Sequence, residues 1–160
     1  GDLDVLLLDL PPGTGDIAIS TAQLLPLAQL VVVTTPQPAA ADVAVRAGMM
    51  AQLTKQKVAG VIENMSAVTC PKCGEKMNLF GEGGGQLVAQ QLSDALETDI
   101  PLLGKIPFDV ALREGGDTGT PLVVDAPDAA ASKVFLDIAD ALYAKPRGLL
   151  GLPLKLTPTK

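Results

Sequence analysis

Histidine and tryptophan are absent, and aromatic residues make up only 2% of the 160-residue chain, although 48% of it is hydrophobic. The core must therefore be built from Val, Leu, Ile and Ala, a mixture that suits strands covered on both faces by helices. Positive charge is also short. Twelve basic residues stand against eighteen acidic ones, a net charge of −6, which argues against non-specific nucleic-acid binding. The deficit is uneven, because residues 145–160, "KPRGLLGLPLKLTPTK", hold four of the basic residues and no acidic one. This tail is expected to be a loosely held terminus. No apolar run reaches the roughly 18 residues of a membrane span. The longest, residues 24–33, is interrupted by Pro26 and Gln29, and no membrane association is expected. Two cysteines without histidine do not make a secreted disulfide framework. No secretory leader is visible, and a cytoplasmic location is the expectation.

What is present alternates between two patterns. Apolar runs at residues 3–9, 29–35, 58–63 and 101–106 predict buried strands. Between and after them come helical spacings: Ala18, Ala22 and Leu25 within 16–27; Val43, Ala47 and Met50 within 39–53; Val88, Leu92 and Ala95 within 84–97. Phe135, Ile138 and Leu142 form a last stripe, after a cap expected around Asp128. Strands alternating with helices predict an α/β fold, a mostly parallel sheet with helices on both faces. Ligands in such sheets bind beyond the carboxyl ends of the strands. The loops after residues 9, 35, 63 and 106 are therefore expected to share one edge. The segment 66–83 is longer than most connections and carries both cysteines, which marks it as functional.

The first run ends in "LLLDLPPGTGD", residues 6–16. Asp9 at a strand end can bind a water coordinated to Mg²⁺, the role of the second acidic motif in P-loop nucleotide hydrolases. Pro11 and Pro12 stiffen the exit. Gly13, Thr14 and Gly15 allow backbone N–H groups close to a phosphate, and Asp16 can cap the next helix. The competing reading is a strand-end aspartate satisfied by loop amides.

"DLPPGTGD" resembles the second acidic motif and switch loop of the Mrp/ApbC-type P-loop ATPases, members of the deviant-Walker group that also contains the MinD-like ATPases. "VVVTTPQ" at 31–37, "GVIENMS" at 60–66, "CPKCG" at 70–74, "FGEGGG" at 80–85, "PLLGKIPFD" at 101–109 and "REGGDTGTP" at 113–121 follow in that family's order. The resemblance covers residues 1–144. It implies the C-terminal part of a P-loop ATPase domain of an iron–sulfur cluster carrier. The family's phosphate-binding loop precedes the second acidic motif, and no G-x-x-x-x-G-K-[ST] occurs in this chain. The expectation is thus an incomplete ATPase domain, part of a slow ATPase and not competent alone.

Cys70 and Cys73 form half a metal site. Pro71 fixes one φ and Gly74 permits a tight reversal, so both sulfurs can point the same way. A [4Fe–4S] cluster or a structural zinc takes four ligands, and the chain offers two thiols and no imidazole. A two-fold homodimer supplies four thiolates, with Lys72 and Lys76 offsetting their charge. Zinc shared by the dimer, a redox dithiol and two inert thiols are the alternatives.

The resemblance further implies ATP and Mg²⁺ as cofactors, Asp9, Gly13, Thr14 and Asp16 as the catalytic set, and apo iron–sulfur proteins as recipients. Asn64 matches the base-binding asparagine, an amide that offers both a donor and an acceptor. Pro107 and Asp109 match the loop lining base and ribose. Without the resemblance Asn64 reads as a turn residue holding its own backbone. Gln37 is a candidate for positioning a loop near the phosphates, Arg113 and Glu114 read as an exposed pair, and Met49, Met50 and Met65 as core filler, with Met77 packed under the cysteine loop. A MinD-like, membrane-associated positioning ATPase is the alternative function.

Overall fold

The computed structural model describes residues 3–11 and 15–143. The chain order is α1 (Asp16–Leu24), β1 (Gln29–Thr34), α2 (Pro38–Thr54), β2 (Lys57–Glu63), β3 (Val68–Thr69), β4 (Lys76–Met77), α3 (Gly84–Leu96), β5 (Leu102–Lys105), α4 (Val110–Thr118), α5 (Leu122–Asp125) and α6 (Ala130–Tyr143). β1, β2 and β5 form a parallel sheet in that order, with β2 in the middle. Each crossover is helical, as a parallel sheet requires. β3 and β4 form a separate antiparallel pair.

The core lies on both faces of β2. Val32, Val58 and Val61 pack with Ala41, Ala44, Ala51, Val88 and Leu92 of α2 and α3 on one face. Ile106, Leu122, Ala131 and Ile138 form a second cluster with α5 and α6. The expected α/β layering is therefore present. Three of the four expected strands and the four expected helices are there, with shifted ends. α1 stops at Leu24, short of 27, because Pro26 cannot continue a helix. α4 is polar on average and buries none of its residues, and α5 is only four residues long; neither was expected from the apolar stripes.

The first expected strand is a correction. Residues 3–9 form no strand, and Leu3 and Leu7 are 73% and 84% exposed. A strand needs a hydrogen-bonded neighbour on at least one side. Among the described residues β1 pairs only with β2, and a cavity of about 570 Å³ lies between residues 6–10 and the outer edge of β1. Leu6, Leu7, Leu8, Val31 and Val33 line it.

The face of α2 is a second correction. Val43, Ala47 and Met50 were expected inside, yet α2 buries Ala41, Ala44, Gly48 and Ala51. The small face wins because α2 and α3 meet closely. A Cβ on Gly48 would stand 2.6 Å from Leu92 Cδ1. Val43, Ala47 and Met50 instead line an apolar cleft with Leu10, Pro11, Val31 and Val33. The tail expected at 145–160 lies outside the described residues.

Candidate functional site: a two-thiol hairpin at the carboxyl edge of the sheet

Because the three strands are parallel, their carboxyl ends share one edge, and the connection after β2 is anchored there on both sides. Asn64 N–H donates to Thr34 O of β1 at 2.7 Å. Ile106 N–H donates to Glu63 O at 2.8 Å, Ser66 N–H to Ile106 O at 3.0 Å, and Phe108 N–H to Ala67 O at 2.8 Å. The Ser66 hydroxyl also donates to Ile106 O, at 3.1 Å. Residues 63–67 and 106–108 thus continue the β2–β5 pairing past the sheet. Met65 sits in this stretch at φ 58, a left-handed conformation unusual for a side-chain-bearing residue. It is a turn residue, half-buried, rather than plain core filler.

The long loop is then not irregular. Val68 pairs with Met77 and Thr69 with Lys76, and the reversal between them holds both cysteines. Gly74 N–H donates to Cys70 O at 2.9 Å and Cys70 N–H to Glu75 O at 2.8 Å. Gly74 takes φ 76, where a side chain would be strained. Met77 is exposed rather than packed beneath the loop.

Both thiols are free, Cys70 half-buried and Cys73 exposed. The backbone N–H groups of Cys73, first, and Lys72 stabilise a Cys70 thiolate, the Cys73 thiol adds to this, and burial opposes it weakly. The Cys70 pKa is therefore lowered from the ordinary thiol value. The sign follows directly: Cys70 keeps its thiolate to lower pH than an ordinary thiol does. Alkylation of Cys70, followed by peptide mass spectrometry in a Cys73→Ser background, is expected to persist at lower pH than alkylation of a free cysteine peptide. A rate–pH curve matching the peptide's would remove the amide cradle from the account.

Among the described residues, no three Cys, Asp or Glu side chains gather closely enough to hold a metal ion. The hairpin is a ligand pair. Beside its base lies a cavity of about 470 Å³ lined by Glu63, Thr69, Lys76, Asn78, Lys105 and Pro107, among others. Lys76 lies at the hairpin's base, paired with Thr69 and lining this cavity.

The remaining expected residues are distributed as follows. Pro107 lines that cavity. Asn64 Oδ1 accepts from Met65 N–H at 2.9 Å, the local bond of a turn residue. Asp109 caps α4, its Oδ1 accepting from Ala111 N–H at 2.8 Å. Asp9 is exposed and lines the cavity beside β1, not a strand end. Asp16 is the first residue of α1 and not its cap; Gly15 holds the cap position without a side-chain bond. Gly13 and Thr14 lie outside the described residues. Gln37 occupies the cap position of α2, exposed and without a side-chain capping bond. Arg113 is paired with Glu114 at 3.1 Å and Asp117 at 2.7 Å, all exposed.

Sequence reasoning passed over Glu63. It is 1% exposed, and its Oε2 accepts from Gly85 N–H at 2.7 Å. The available signal was a single acid at the end of the apolar run "VAGVIE".

A parallel sheet layered with helices makes this an α/β fold, and its likeness to solved structures and to a family model narrows that to the fold of the P-loop NTPases. The nucleotide-binding protein from Archaeoglobus fulgidus, solved in complex with ADP, matches at TM-score 0.59 and 40% identity, over 74% of this chain and 46% of that one. The cell division ATPase MinD of Pyrococcus furiosus matches at TM-score 0.61 over 84% and 49%, at 23% identity, a likeness of fold alone. The family model described as ParA, NUBPL iron-transfer P-loop NTPase, matches residues 1–143, and the chain belongs to that family. The iron-sulfur cluster carrier protein of Mycobacterium tuberculosis is 60% identical over 160 residues. This chain spans all of that alignment but only 42% of that relative's length.

Proposed function

We propose that this chain is the cluster-holding part of an iron–sulfur cluster carrier. Cys70 and Cys73 of two copies would together bind one [4Fe–4S] cluster as cargo, for delivery to apo iron–sulfur proteins. One observation carries the reading: two thiols on an amide-lined turn at the surface, with no third ligand beside them among the described residues. A four-iron cluster takes four thiolates, and a two-fold axis doubles whatever one chain presents. A site at the surface and shared between copies suits a cargo that must leave. The name of the mycobacterial relative and the family description point the same way. A reducing cytoplasm, where thiols stay free, is the matching compartment.

ATP and Mg²⁺ belong to the same proposal at one remove. The residues present do not cradle a phosphate: the sequence has no P-loop motif, and Asp9 stands beside an open cavity. A phosphate-binding strand seated along the outer edge of β1 would give residues 3–9 a strand to pair with. In that completed site Asp9 is the proposed holder of the metal's water. Gly13 and Thr14 are the proposed γ-phosphate sensors, Asp16 the residue that orients the attacking water, and Asn64 with Pro107 and Asp109 the base side. The fit is incomplete in this chain. The MinD-like membrane reading has no specific support. Its likeness to solved MinD structures is one of fold alone, at 23% identity.

The test is anaerobic reconstitution with iron and sulfide of the chain and of a Cys70→Ala, Cys73→Ala variant. Four iron and four sulfide per two chains, with a thiolate-to-iron absorption band, are expected for the former and neither for the latter. Equal uptake by both would take the cysteines out of the function.

A further inference from the structure

α3 begins inside "GEGGG", with Gly83 at its cap position. Glycine has no side chain to accept from the exposed N–H groups of a first helical turn, and none does so here. The acceptor comes from elsewhere. Glu63, at the end of β2, reaches across 22 residues of sequence and accepts from Gly85 N–H at 2.7 Å. The two elements touch: a Cβ on Gly85 would lie 2.7 Å from Glu63 Cβ. A carboxylate at a helix N-terminus is favoured by the helix dipole as well as by the bond.

The place of this contact in the chain matters. Glu63 is the last residue of the strand that leads into the cysteine excursion, and Gly85 is the second residue of the helix that follows it. One carboxylate therefore ties the two roots of the hairpin together. The Glu63 carbonyl, accepting from Ile106 N–H at 2.8 Å, ties the same point to the loop that carries Pro107. Lys105 Nζ lies 3.8 Å from Glu63 Oε1, but the lysine side chain is 50% exposed. Only the glutamate is buried, and a contact of 3.8 Å to a half-exposed ammonium is long and partly screened by water. The hydrogen bond, not the charge pair, does the fixing.

The geometry points to Glu63 as a positioning residue for the cysteine hairpin, a strand-borne cap that closes the excursion at its base and sets where the two thiols are presented. It touches neither thiol. The inference holds whatever the thiols bind, and so does not rest on the cluster reading.

The test is amide hydrogen exchange by NMR on the whole chain, metal-free. In Glu63→Ala, the amides of Gly85, Leu87, Ser66 and Phe108 should lose about tenfold more protection than Val61 at the centre of the sheet, as expected for one bond to a charged acceptor. Glu63→Gln keeps an oxygen that can accept from Gly85 and should restore most of the protection at these four amides, less the share that the carboxylate charge adds. Lys105→Met should leave it unchanged. Should Glu63→Ala fail to fold, Glu63→Asp, whose carboxylate falls short, must show the same selective loss. Uniform loss at all amides including Val61 would make Glu63 an ordinary stabilising residue. Loss at Gly85 alone would make it a local cap. Failure of rescue by glutamine would shift the effect to charge. Each of these overturns the assignment.

Discussion

Gly84→Ala is expected to destabilise the chain by about 3 kcal/mol and to lower the thermal midpoint by about 10 °C. Gly84 is the first residue of α3 and is buried against the exit of β1. A Cβ there would lie 2.6 Å from both Pro36 O and Thr35 O. Those are backbone atoms, and they cannot swing aside as the end of a side chain does. The helix must lift from the sheet edge, which loosens Gly85 from Glu63 as well. Two other glycine substitutions isolate the cause. Gly83 has φ 81 with nothing within 4 Å of a Cβ, so alanine there meets only the left-handed strain of about 1–2 kcal/mol. Gly116 is helical and equally open, so alanine there should stabilise by about 0.5–1 kcal/mol. Urea unfolding of the three variants checks the order. If Gly84→Ala proved as mild as Gly83→Ala, α3 would not be seated on the strand end.

This glycine also shows what could and could not be read from the chain. "FGEGGG" was visible as a family motif, but the reason for its glycines is tertiary: two carbonyls and a glutamate carboxylate arriving from other strands. Local pattern located β1, β2, β5 and the long helices, because buried parallel strands and helical stripes write their period into sequence. It misjudged α2, where the bulky stripe of Val43, Ala47 and Met50 suggested the core. The face of Ala41, Ala44, Gly48 and Ala51 was selected by close approach to Leu92, which no one-dimensional pattern encodes. It read residues 3–9 as a strand from their apolar content. Strand formation, however, depends on a neighbour, and the edge of β1 beside them borders a cavity.

The site divides in the same way. The cysteine pair was legible because Cys-Pro-Lys-Cys-Gly specifies its own turn, and the structure adds only the hairpin stem beneath it. Asp16 and Asp109 carry expected ligand roles, and in the structure one begins a helix and the other caps one, positions that leave those roles open. Short acidic residues suit helix starts as well as ligands, and sequence alone does not separate the two uses. Glu63 was missed because its partner, Gly85, lies across the whole excursion.

A single cysteine substitution should abolish cluster loading as completely as the double one. If two chains share one cluster, Cys70→Ser or Cys73→Ser leaves two of four thiolates in the assembly, and no other acid or thiol of the described residues stands close enough to make up a third ligand. A site closed within one chain would lose one ligand and keep three. Loading should therefore fall at least about hundredfold in either single variant, beyond the loss typical of removing a supporting residue. Concentration provides an independent reading. At fixed, sub-saturating iron and sulfide, a shared site fills with the square of chain concentration, so tenfold dilution should lower the loaded species about hundredfold; a single-chain site would drop about tenfold. Sedimentation velocity should find the absorbing species at twice the mass of the chain. Zinc obeys the same concentration law, so the sulfide count separates it from a cluster. Linear dilution behaviour, with the chromophore at monomer mass, would show that one chain completes the shell itself, and the two-fold arrangement of Cys70 and Cys73 would have to be abandoned.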